Sequence, residues 1–419
     1  MSTTGLRVGR RTTVGGILGC VIALVITACG GSGDEAQAPP SADSPAIGAE
    51  LRIDSTDAGP GSLVSATEMP LLDRRVTAAA SISARVEYRS TSGITDKPTT
   101  VTGSIFVPLG TPPSGGWPLV ALGHGTTGVL GECGPSLDPT LLGVTTLASG
   151  LLRLGYAVTV TDYEGLGTPG STEPTHPYLD ATTEGMNVID SVRAARRLSK
   201  SVSARWAALG TSQGGQAVWS ANELAGTYSP ELNLLGTASV SPAADIAPLA
   251  QAAQDKKLTE DQYGALQWLL LALKRENPDL DLDLYRRGVV ETQWKALSQC
   301  SPEFAAARTA AVRAIAPDDL VPSTPEATAT LTNLLAARSL PKAKASAPML
   351  VLYGGKDQLV TPAWTTAALA RACRRGDDVQ FQLDPDKGHD DVDTAPALGW
   401  LANRFNGAPI GSSCGAAAS

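Results

Sequence analysis

Histidine is scarce in this chain: three among 419 residues, His124, His176 and His389. Cysteine is nearly as rare, and none of the six stands in a C-x-x-C pair, so zinc and thiol-redox chemistry have little to work with. Positive charge is not in surplus. Lys and Arg total 33 against 41 Asp and Glu, a formal charge of −8, which leaves no basic face for nucleic acid. No internal repeat is evident. The one candidate for a membrane span, Val14 to Ala28, falls short of the ~20 apolar residues a bilayer needs. What remains, 42% hydrophobic and 18% charged, is ordinary globular composition, long enough for one large or two medium domains.

The N-terminus reads as an export segment. Arg7, Arg10 and Arg11 give a positive start, and the apolar stretch to Ala28 has the build of a secretory signal. It ends in "ITAC", the form of a bacterial lipobox, which makes Cys29 the expected lipidation site and the anchor to a membrane. Residues 1–28 are then signal, and 29–60, rich in Gly, Ala, Ser and Pro, a flexible tether. The expected location is exported, as a cell-envelope lipoprotein or a secreted protein. Setting aside Cys20 and Cys29 leaves Cys133, Cys300, Cys373 and Cys414. Four cysteines in an exported chain imply two disulfides, with three pairings open.

Residues 61–414 alternate strand and helix. "SARVEYRST" (83–91) and "VTGSIFVP" (101–108) read as an opening antiparallel pair. Apolar strands follow at 117–125, 155–163, 205–212, 233–241, 347–355 and 378–384, nearly continuous as expected of strands covered on both faces. Helical patterns lie between them. That over 180–198 has Asp180 as N-cap, Glu184 in its first turns, and Met186, Ile189, Val192 and Ala195 as an apolar stripe. This order predicts a mostly parallel sheet with helices on both faces, an α/β fold. From about 243 to 346 only helical segments occur. That insertion is too long for a loop and reads as a helical cap over the sheet edge. Residues 415–419 are a tail.

Reactive groups in such a sheet gather at the carboxyl ends of strands. The pattern G-x-S-x-G occurs twice. Around Ser413 it follows no strand and precedes no helix. "GTSQG" (210–214) stands between a strand and a helix, the context of a nucleophile elbow, so Ser212 is the candidate nucleophile. A serine hydroxyl needs a base within reach. His389, beyond the last strand, fits the chain order Ser, acid, His; His124 and His176 do not. Asp357 in "GGKDQLV" follows a strand and is the expected acid, with Asp245 as the main rival and Asp390 and Asp391 too near His389 in sequence to sit behind its ring. Acyl transfer also needs oxyanion donors: the Gln213 N–H and a second from "HGTTG" (124–128), either Gly125 or Thr126.

In order, "GHGTTG", "TDYEGLGTPG", "GTSQGG", "YGGKDQLVTP" and "GHDD" resemble the lipase A-like secretory lipase family, capped α/β-hydrolases. The resemblance extends over roughly Ser83 to Cys414. It implies hydrolysis of acylglycerols or similar acyl esters without a cofactor, by Ser212, Asp357 and His389 through an acyl-enzyme. It places Asp162, Tyr163 and Gly165 beside the active centre, Asp162 in a structural role. It further implies the pairs Cys133–Cys300 and Cys373–Cys414. The same triad would also serve a peptidase or an acyltransferase, and a silent lipid-binding lipoprotein could keep the fold.

Blander readings cover the remaining motifs. Asp279, Asp281 and Asp283 alternate as a calcium loop begins, but Gly at the sixth place and Glu at the twelfth are missing, so they read as solvated surface. The acids around His389 have no second histidine or cysteine nearby to complete a metal site. The stripe "ALQWLLLAL" (265–273) is expected in the cap core, with part of it available to an acyl chain.

Overall fold

The computed structural model describes residues 48–415 apart from 55, 169 and 171–175. The signal segment, Cys29 and most of the expected tether lie outside the described residues. Nine strands form one sheet: β1 (Leu63–Glu68), β2 (Ala80–Thr91), β3 (Pro98–Pro108), β4 (Trp117–Gly123), β5 (Ala157–Thr161), β6 (Val202–Thr211), β7 (Asn233–Val240), β8 (Met349–Gly354) and β9 (Val379–Asp384). Their order is β1-β2-β3-β5-β4-β6-β7-β8-β9. The first four in that order pair antiparallel and the rest parallel, so the sheet is mixed and mostly parallel.

Side-chain alternation explains why both faces are covered. Leu119 and Ala121 of β4 join the cluster built with Val188, Ile189, Val192 and Val218, while Val120 and Leu122 join Leu151, Leu152, Leu401 and Phe405 opposite. Asp180 caps the Ala181–Leu198 helix by accepting from the Thr183 N–H at 2.8 Å. The face this helix buries differs from the expected stripe. Met186 is only half-buried, whereas Glu184, Asn187 and Asp190 are buried. β2 supplies a partner for the last two: Asn187 Nδ2 donates to Ser90 Oγ, and Ser90 Oγ donates to Asp190. β1 was not expected. It is a short edge strand, with only Leu63 and Ala66 buried. The described end of the tether docks on it. The Leu51 N–H donates to Ala66, Leu51 and Ile53 pack against the core, and Asp57 pairs with Arg197.

Between β7 and β8 the described residues contain helices and no strand, the longest being Glu260–Glu276. Thr259 and Gln262 cap it reciprocally. Leu266, Leu269, Leu270 and Leu273 bury one face of it against Leu331 and Leu335. The cap is tied down by the Cys133–Cys300 disulfide, by Thr259 Oγ1 donating to the Gln358 carbonyl, and by Gln262 Nε2 donating to that of Leu359. Cys373 and Cys414 form the second disulfide.

Candidate active site

Ser212 sits at a tight turn of the backbone with positive φ. It has φ 54° and ψ −116° between β6 and the Gln213–Tyr228 helix, a conformation costly for a residue with a Cβ. The neighbours hold it there. Its N–H donates to the Val240 carbonyl and its carbonyl accepts from Gln216 and Ala243. A Cβ on Gly214 would fall well inside contact distance of the Gly123 carbonyl, and one on Gly210 would strike Gly214. Only glycine lets helix and strands approach this closely.

The turn aims the hydroxyl at a histidine. Ser212 Oγ lies 2.8 Å from His389 Nε2, and His389 Nδ1 lies 2.7 Å from Asp357 Oδ2. The three residues come from beyond β6, β8 and β9. Asp357 is buried, and its Oδ1 accepts from the Leu359 and Val360 N–H groups, both at 2.9 Å, so the carboxylate is fixed at both oxygens. A carboxylate can only accept, so Nδ1–H donates to it and Nε2 keeps the lone pair that can take the serine proton. Ser241 Oγ donates to the His389 carbonyl and steadies that loop. The rival acids are engaged elsewhere: Asp245 pairs with Arg371, and Asp391 accepts from the Gly388 N–H. Asp390 is exposed at the mouth of the cavity.

The two expected oxyanion segments flank the serine. Gln213 opens its helix, where the first N–H groups have no intrahelical acceptor. A Cβ built on Gly125 would lie 3.9 Å from that of Ser212, so the 124–128 loop passes close beside Ser212. His124 holds this loop, with Nδ1 donating to the Gly125 carbonyl at 2.6 Å, and burial lowers its pKa. Asp162 sits behind, accepting from Thr102 Oγ1, the Ser136 N–H and Ser136 Oγ, a buried brace that does not touch Ser212.

Above Ser212 and His389 opens a cavity of about 460 Å³. Tyr178, Trp268 and Arg308 form part of its wall; Trp268 belongs to the 265–273 stripe, whereas sequence reasoning did not single out Tyr178 or Arg308. Arg308 stacks over the Trp268 ring at 3.7 Å. A narrow apolar slot, lined by Ile246, Leu249, Leu269 and Val360, leads from Ser212 into the cap. Among the described residues no cluster of three or more His, Cys, Asp or Glu could hold a metal.

A family model described as "Secretory lipase" matches residues 140–413, well over half of the chain. That match begins after the 124–128 loop. Among curated proteins none matches the sequence. Solved structures with the same fold include Candida antarctica lipase A in its closed state (TM-score 0.67, 17% identity, 84% of each chain covered). A putative hydrolase of Legionella pneumophila is similar at TM-score 0.65 and 18% identity, covering 82% of this chain and 96% of its own. The rice cell wall degrading esterase LipA from Xanthomonas oryzae gives 0.62 and 21%, covering 83% and 97%.

Proposed function

This chain belongs to the secretory lipase family of carboxylic ester hydrolases, and we propose that it cleaves acyl esters, acylglycerols among them, through an acyl-enzyme on Ser212. His389 takes the hydroxyl proton as Ser212 Oγ attacks the ester carbonyl. The carbonyl oxygen, now negative, receives the N–H of Gln213 and that of Thr126 or Gly125. Asp357 stays ionised behind the ring and stabilises the imidazolium. As the tetrahedral adduct collapses, His389 returns its proton to the leaving alcohol. Water then attacks the acyl-enzyme with His389 again as base, releasing the acid and restoring the serine.

One observation carries this reading: the unbroken run from Asp357 through His389 to Ser212, at 2.7 and 2.8 Å, opening into a cavity. The cavity wall carries Trp268, Val312, Leu359 and Val392, apolar side chains that suit the hydrocarbon part of an acyl group. A fluorophosphonate probe should label the protein and spare Ser212→Ala; an unlabelled wild type would leave a silent binding protein. Paired with it, p-nitrophenyl esters of graded chain length, triacylglycerol emulsions and peptide amides assign the class, and a preference for amides would overturn the esterase reading.

The two disulfides fit an exported protein. We place the lipid anchor on Cys29. Labelling with a palmitate analogue should disappear in Cys29→Ala, and equal labelling of both would remove the anchor.

A further inference from the structure

The two proposed oxyanion donors stand on different elements, the loop after β4 and the helix after β6. Their contribution depends on both N–H groups staying within about 3 Å of one point as charge develops there. A single short stretch, His176 to Glu184, touches both. Tyr178 OH shares a 2.8 Å hydrogen bond with Thr126 Oγ1. His176 Nε2 lies 2.8 Å from Gln213 Nε2, and Glu184 Oε1 accepts from the same nitrogen at 2.7 Å. Glu184 Oε1 also accepts from the Leu179 N–H at 3.0 Å, closing the stretch on itself.

Two oxygens of the cluster, Glu184 Oε2 and Gln213 Oε1, are buried without a hydrogen-bond partner among the described residues. His176 Nδ1 donates to the Glu164 carbonyl at 2.9 Å, which leaves Nε2 as acceptor for one Gln213 amide hydrogen. The other goes to Glu184. Burial lowers the His176 pKa to about 3, which keeps the ring neutral, and raises that of the Glu184 carboxyl. A carboxylate at this place would oppose the negative charge forming on the substrate oxygen. The three contacting side chains of the stretch, His176, Tyr178 and Glu184, and their partner Gln213 are buried. Two non-glycine residues beside these contacts, Tyr163 and Leu179, have positive φ of 71° and 59°. Such conformations persist where packing over-determines them.

We infer that His176, Tyr178 and Glu184 form a bracket that positions the Gln213 and Thr126 amides as a pair. It rests on the acyl-enzyme reading above. These are positioning residues: Tyr178 and Glu184 act through Thr126 and Gln213. Tyr178→Phe, which deletes one oxygen, should lower kcat about tenfold with KM nearly unchanged. Affinity for an alkyl boronic acid, whose serine adduct is tetrahedral and anionic, should fall by the same factor. Glu184→Leu should do likewise, and Glu184→Gln, which keeps an acceptor for Gln213, should recover most of the loss. The melting temperature of Tyr178→Phe should match wild type. Wild-type kcat and boronate affinity in Tyr178→Phe would overturn the bracket, as would a raised KM with kcat intact, which marks direct substrate contact. Fluorophosphonate labelling of wild type separates the two failures. If wild type is not labelled, the acyl-enzyme reading falls; if it is labelled and the variants turn over normally, only the bracket does.

Discussion

The carboxyl edge of the sheet and the cap above it are held by different physics. At the edge, position is set by backbone: a strained Ser212, glycines too close to neighbouring carbonyls to carry a Cβ, and an Asp357 fixed by two amides. The cap rests on an apolar cluster that reaches down through Val129, Tyr178, Leu179 and Val360, with one covalent tie. Directional contacts lose their value with shifts of an ångström, whereas apolar burial is nearly indifferent to direction. Changes at the edge should therefore cost activity first, and changes in the cap attachment should cost stability first.

The largest expected effects are at the edge. Ser212→Ala should lower kcat on a p-nitrophenyl ester by about 10⁶, the scale of nucleophile loss in other triads. Asp357→Asn should lower it by about 10⁴, because an amide can hold the imidazole in the wrong tautomer. More than 1% residual activity in either would break the comparison at its root. Next comes a pair of Gly→Ala changes with opposite outcomes. Gly214→Ala drives a methyl into the Gly123 carbonyl and should reduce turnover more than ~100-fold. Gly399, inside the Ala395–Phe405 helix, has open space around it, so Gly399→Ala should leave kcat alone and add about 0.5–1 kcal/mol of stability in a denaturant titration. Equal kinetic effects would mean that close backbone approach is not what shapes the elbow.

The cap is probed by its disulfide. Cys133 and Cys300 are 167 residues apart, Cys373 and Cys414 only 41. On the chain-entropy model the first contributes about 5 kcal/mol and the second about 4, both upper figures. Replacing Cys133 and Cys300 together by Ser should therefore lower the melting temperature more than the Cys373/Cys414 pair does. Fluorophosphonate labelling of the folded protein should survive in both. Loss of labelling with an unchanged melting temperature would show that the link shapes the site instead of holding the cap.

The same division decides what the sequence discloses. Ser212, Asp357 and His389 were legible because each lies in a short motif just past a strand, where local turn chemistry and chain order carry the information. The cap was legible only as a run of helices without strands, because non-directional packing leaves just an apolar stripe such as Leu266 to Leu273. β1 was hidden by its brevity and by having one covered face. Glu184 was hidden differently: near an N-cap it reads as an acid favourable to the helix dipole, and its partner Gln213 is 29 residues away in sequence. Nothing local marks a buried polar pair of that separation. The elements that execute the proposed step are thus written locally, and those that would hold it steady are written across the fold.

An effect on stability alone, seen only as pH changes, lies where the two regions meet. Glu223, on the helix that starts after Ser212, accepts at Oε2 from the Lys342 and Ala343 N–H groups at 2.9 and 2.8 Å, on the segment returning from the cap. Burial raises its pKa from 4.5 to about 7. Between those values the folded state holds a proton that the unfolded state has released, so this contribution is complete below pH 4.5 and is lost as pH rises through 7. Glu223→Gln keeps an oxygen acceptor and cannot ionise. Its unfolding free energy should match wild type near pH 5 and exceed it at pH 8, by at most ~3 kcal/mol. Glu164, also raised to about 7 by burial, leaves part of the slope in the variant. The acid side should be unchanged: His176, neutral down to about 3, makes stability fall as pH drops below 6.5, where the unfolded chain takes the proton. Parallel wild-type and variant curves from pH 5 to 8 would mean that Glu223 is ionised in the folded protein, and that the return segment is held by charge instead of by a neutral carboxyl.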